Sequence, residues 1–92
     1  MATVAENSCS GGIFIGTIPT PASAITVDDQ PCRSCLVRHF SGTATFVDIQ
    51  KVADPATAWP LGTLIHSIPV RNLNQLSFIG TAGDKVQIMW RA

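Results

Sequence analysis

The last twenty-one residues, Asn72 to Ala92, constrain the fold more than any other stretch of the chain. Within them Val86, Ile88 and Trp90 alternate with Lys85, Gln87 and Arg91, and Met89 is the one apolar residue on the polar side. A period of two over that length is the mark of a half-buried strand. Upstream, Leu76 and Phe78 share one face, with Gln75 and Ser77 on the other. Thr81-Ala82-Gly83-Asp84, preceded by Gly80, separates the two runs, and its glycines can supply the positive φ of a tight turn. The stretch reads as a β-hairpin with one apolar face, and such a face requires a second layer.

A chain of 92 residues makes one domain with a modest core. Apolar residues make up 46% of it and charged residues 13%, a low charge for a small surface. This balance points to a domain that rests much of its surface on other subunits. Six basic and six acidic residues cancel, and the basic ones are scattered, so nucleic acid is excluded as an expected partner. No apolar run is long enough for a spanning helix, and no basic region precedes an apolar stretch as in a secretory signal.

The remaining chain divides at about residue 23. Residues 1–23 read as an extended N-terminal arm: small and polar to Gly12, then the β-prone Ile13-Phe14-Ile15-Gly16-Thr17-Ile18, then the stop Pro19-Thr20-Pro21. Such an arm is expected to lie on a neighbouring subunit or add a strand to it, and removing residues 1–20 is expected to leave the domain folded. Residues 24–92 read as the domain proper. Strands are expected over 32–40, with Cys35 and Val37 facing one way, and over 43–51, with Thr45, Val47 and Ile49 together. Another is expected over 63–70, with Leu64, His66, Ile68 and Val70 inward and Pro69 marking an edge or bulge. Turn signals recur roughly every ten residues, which favours an all-β sandwich or a jelly-roll-like barrel of about six strands.

Motifs of catalysis are sparse. Cys32-x-x-Cys35, with His39 and Cys9, has the residue types of a zinc site, but in a flat strand Cys32 and Cys35 point to opposite faces. The odd number of cysteines, three, speaks against a disulfide framework, and no βαβ context supports a redox dithiol. No nucleophile elbow, phosphate loop or paired carboxylates appear, so no catalytic, cofactor-binding or metal-binding residue is assigned and the chain is read as a non-enzyme. Asp84, after Gly83, reads as a turn former. Trp59 lies on a loop between prolines and is either folded onto the core or an interface anchor.

The run Pro69-Val70, Leu73, Leu76, Phe78, Gly80, Gly83, Asp84, Val86 resembles the closing segment of a group of small β-sandwich structural proteins of tailed bacteriophages. Pro31-Cys32-Arg33 before an apolar strand, and Phe46-Val47-Asp48-Ile49 leading to a loop with Leu61-Gly62, resemble the same group, so that the likeness covers roughly residues 25 to 92. The resemblance is one of strands and turns. It implies a capsid decoration (cement) protein: a homotrimer, assembled in the host cytoplasm, that sits on the virion surface, binds the major capsid protein and strengthens contacts between capsomers. On that reading Ile13, Phe14, Ile15 and Ile18 of the arm, together with Trp59, make the capsid or subunit contacts. A head–tail or tail-fibre component is the alternative within virion proteins, and a carbohydrate-binding surface module is the alternative outside them.

Overall fold

The computed structural model of the chain describes residues 11–92. Eight strands follow one another: β1 Gly11–Thr17, β2 Ile25–Thr26, β3 Ser34–Ser41, β4 Thr45–Ile49, β5 Trp59–Pro60, β6 His66–Ser67, β7 Leu76–Gly80 and β8 Lys85–Arg91. A 3-10 turn, Leu73–Gln75, precedes β7. Asn72 opens it with a capping box: its side chain accepts the Asn74 N–H, and the Gln75 side chain returns to the Asn72 N–H.

The strands form two four-stranded antiparallel sheets, ordered β1-β8-β3-β6 and β2-β7-β4-β5. This is the wiring of a jelly roll, eight strands in two sheets folded as Greek keys. The sandwich expected from the sequence is therefore present, with eight strands rather than about six. β1 and β5 are the additional strands; β5, and β6 within the stretch expected as a strand over 63–70, are only two residues long.

The terminal segment departs from the expected hairpin. Both of its strands form where the alternation placed them, with Val86 and Ile88 buried, Trp90 packed against the core and Met89 exposed. They do not pair with each other. β7 lies between β2 and β4, while β8 lies between β1 and β3. The turn at 81–84 carries the chain across the sandwich, so each strand is part of the other's second layer. Alternation records which side of a strand is buried, and it is blind to whether the next strand lies beside it or opposite it.

The N-terminal expectation also changes. Residues 1–10 lie outside the described residues, but β1 pairs with β8 over its full length, from Gly11 opposite Arg91 to Thr17 opposite Lys85. Ile18 follows it into the core at 1% exposure. Residues 11–18 thus belong to the sandwich and are not an arm. The sequence disguises this because β1 points its bulk outward. Gly12 and Gly16 face inward with Phe14, and a Cβ at Gly12 would stand 3.3 Å from the Trp90 ring. The small residues make room for large neighbours from other strands.

Two loops change sheets at the same corner of the molecule, 41–44 between β3 and β4 and 81–84 between β7 and β8. Asp84, 2% exposed, joins them. Its carboxylate accepts the backbone N–H groups of Thr43 (2.8 Å), Ala44 (3.0 Å) and Thr81 (3.0 Å). Its own carbonyl accepts the Ile18 N–H at 2.8 Å, tying in the end of β1. Asp84 is a turn former, as its sequence context suggests, but it organises three segments rather than one.

Candidate docking surface

The four strands of the β1 sheet keep one register across the molecule, so their outward side chains stand in rungs. Ile13, Met89, Leu36 and Ser67 are abreast on one rung. Gly11, Arg91 and Ser34 form the rung on one side of it; Ile15, Gln87 and Arg38 form the rung on the other. Beyond these come Thr17, Lys85 and, past a bulge, Ser41. Three of the four residues on the central rung are large and apolar, and they stay open to solvent: Ile13 is 64% exposed and Met89 49%. Ile65, from the segment before β6, extends the patch and with Leu36 and Met89 lines a shallow groove of about 110 Å³.

The charges on this face are of one sign. Arg38, Lys85 and Arg91 flank the apolar rung, and no carboxylate stands on the four rungs. The cations are positioned by neighbours. Arg38 Nε donates to Gln87 Oε1 at 2.7 Å and lies 5.5 Å from the Phe40 ring centre, and Lys85 Nζ donates to Thr17 Oγ1 at 2.9 Å. An apolar strip with a polar, cationic rim has the layout of a protein-binding surface. Its complement is an apolar ridge bordered by acidic groups.

Of the contact residues expected from the sequence, Ile13 and Ile15 are on this face. Phe14 points the other way and is partly buried against the core, and Ile18 is fully buried, so neither side chain is on this face. Trp59 is not folded onto the core: it is 66% exposed on β5, an edge strand of the other sheet. It walls an open cleft of about 450 Å³ with Asp48, Thr57, His66 and Ser67. Asp48 meets Lys51 at 4.0 Å, and His66 Nε2 lies 2.6 Å from the Leu61 carbonyl oxygen. β1 and β5 lie at edges of different sheets, so the structure separates Trp59 from the isoleucines. Leu36 and Met89 escaped the sequence reading as contact residues, although the position of Met89 on the polar side of its strand was the signal for one of them.

The cysteine pair also differs from expectation. Cys32 precedes β3 and a bend at Arg33 intervenes, so Cys32 and Cys35 both turn inward. Their thiols donate to the carbonyls of Val70 and Ile68, each at 3.5 Å. Burial, and then the neighbouring Cys32, push the Cys35 thiol up to about 11, and burial also raises Cys32. Raised thiols of this kind are poor nucleophiles and poor metal ligands. Among the described residues no group of three His, Cys, Asp or Glu side chains is arranged to hold a metal ion. No helix of the described residues is long and apolar enough to cross a membrane.

No family model matches the chain, and comparison with curated proteins and with solved structures gives no match either.

Proposed function

We propose that the chain is a virion structural protein of a tailed phage, and that it decorates the outer surface of the capsid by binding the major capsid protein. The observation that carries this reading is the apolar rung of Ile13, Met89 and Leu36 with its cationic flanks. A face of that composition suits a second protein surface better than a small substrate. The jelly-roll wiring supports it by analogy, because capsid domains use this architecture; lectins use it too, so the fold alone does not decide. The sequence resemblance over residues 25 to 92 supplies the phage context. No catalytic step is part of the proposal.

The test is co-sedimentation with heads that lack the protein, from the phage that encodes it. Met89→Lys puts a charge at the centre of the strip while leaving the core untouched, and is expected to cost about 2 kcal/mol, roughly thirtyfold in Kd. Attachment should also weaken as salt rises, because the flanking cations are exposed. Undiminished attachment of Met89→Lys would sink the reading.

A second reading rests on the Trp59 cleft. An exposed indole beside a carboxylate and an imidazole is suited to a sugar ring, as in a carbohydrate-binding surface module. Glycan binding that Trp59→Ala abolishes and Met89→Lys leaves intact would favour it over capsid decoration.

A further inference from the structure

β1 is an edge strand, and no described strand flanks its outer side. Natural sheets protect such edges with charges, proline or a bulge. β1 has none of these: Gly11-Gly12-Ile13-Phe14-Ile15-Gly16-Thr17 contains no charge and no proline, and its register with β8 runs without interruption. The opposite end of the sheet is handled differently, since β6 is only two residues long and Pro69 follows closely. One edge is thus short and blunt, and the other is long and open.

The open edge is also nearly palindromic. Read from Phe14, isoleucine stands one position away on each side and glycine two positions away on each side. An antiparallel strand pair centred on Phe14 would therefore match like with like. Ile13 of one copy would oppose Ile15 of the other, Gly12 would oppose Gly16, and Phe14 would oppose itself. Such reciprocity is what a twofold contact demands. Neutral side chains oppose neutral side chains throughout, so nothing charged is desolvated. A seven-residue antiparallel pairing supplies about six to eight backbone hydrogen bonds.

We propose that two copies of this chain pair through β1, in antiparallel register about Phe14, to make one continuous eight-stranded sheet. The four isoleucines Ile13 and Ile15 of the two copies then form an unbroken strip at the middle of its outer face. The occupant of the edge is a second copy rather than another peptide, because the symmetry of the β1 sequence is a property only self-pairing uses. The contact is twofold, unlike the homotrimer that the phage resemblance implies. It is independent of the capsid reading and is tested without capsids.

The test is native mass by light scattering over a range of concentrations. The wild-type chain is expected to reach a dimer. Ile13 and Ile15 are exposed, so the double variant Ile13→Lys, Ile15→Lys should fold with an unchanged circular dichroism spectrum, yet it sets lysine opposite lysine and should remain monomeric. The double variant Ile13→Glu, Ile15→Glu should also be monomeric alone. Mixing the two should restore a dimer, since glutamate then opposes lysine, a rescue that misfolded variants would not give. A wild-type monomer at every concentration, a wild-type trimer, or a dimer that survives both double variants would overturn the proposal.

Discussion

At the scale of the residue, the corner held by Asp84 is the most exposed to test. Burial by itself would raise this carboxyl; the N–H donors of Thr43, Ala44 and Thr81, with His39 nearby, outweigh it and hold the group below its ordinary value. A depressed carboxyl stabilises the fold above its unfolded-state value, and the contribution is lost as pH falls through the folded one. Acid titration of the unfolding midpoint should therefore show a loss below about pH 4 that Asp84→Asn lacks. Asp84→Ala strands three backbone donors and is expected to cost about 3 kcal/mol in urea denaturation. The glycines around the corner separate two effects. Gly42 (φ +102°) and Gly83 (φ +88°) both occupy left-handed backbone. A Cβ at Gly83 meets nothing within 4 Å, whereas one at Gly42 collides with the Asp84 carboxylate. Gly83→Ala should cost only conformational strain, about 1 kcal/mol, and Gly42→Ala clearly more. In an Asp84→Ala background Gly42→Ala should cost less than in the wild type but still more than Gly83→Ala, because the Cα of residue 84 stays 2.9 Å from a Cβ at Gly42. Cys35 gives the opposite pH dependence. Its thiol is raised to about 11 against an ordinary 9.0, so stability should fall between those values as pH rises. The chain contains no tyrosine to mask the effect, and Cys35→Val should reduce it to the share that the raised Cys32 thiol contributes.

At the scale of the element, β1 decides what a truncation means. Deleting residues 1–20 would take away the whole β1–β8 ladder and Ile18, and burial of an isoleucine of that kind is worth about 3 kcal/mol by itself. The expected outcome is a chain without a cooperative thermal transition. How far these elements were legible follows from the same physics. β8 was readable because its inward residues are bulky and its outward ones, Met89 apart, are polar. β1 was not, because glycines at 12 and 16 face the core while isoleucines at 13 and 15 face solvent. The sequence pattern puts Leu64 on the inside of a strand over 63–70, but pairing there is limited to His66–Ser67 and Leu64 is exposed. The placement of Cys32 depended on one bend at Arg33, which alternation does not encode. On the candidate surface, Ile13 and Ile15 were legible as apolar residues without a reason to be buried. Their alignment with Met89 and Leu36 exists only once the register of three strands is known.

At the scale of the whole molecule, the jelly-roll order places β8, the last of the eight described strands, between β1 and β3. Of the consecutive described strands only β4 and β5 pair with each other. While the chain is being made, then, β1 and β3 emerge early and wait, each lacking the neighbour that will hold it. The central strand of their sheet follows both in the sequence, so that sheet cannot close until β8 has left the ribosome, and the nascent protein carries its uncharged Ile-Phe-Ile segment unshielded until then. Closing contacts between the two ends of the chain also makes refolding slow for a domain of this size. A ribosome-stalled series should gain protease resistance only after Arg91 has cleared the exit tunnel, and loss of the final seven or eight residues should be as damaging as loss of the first strand.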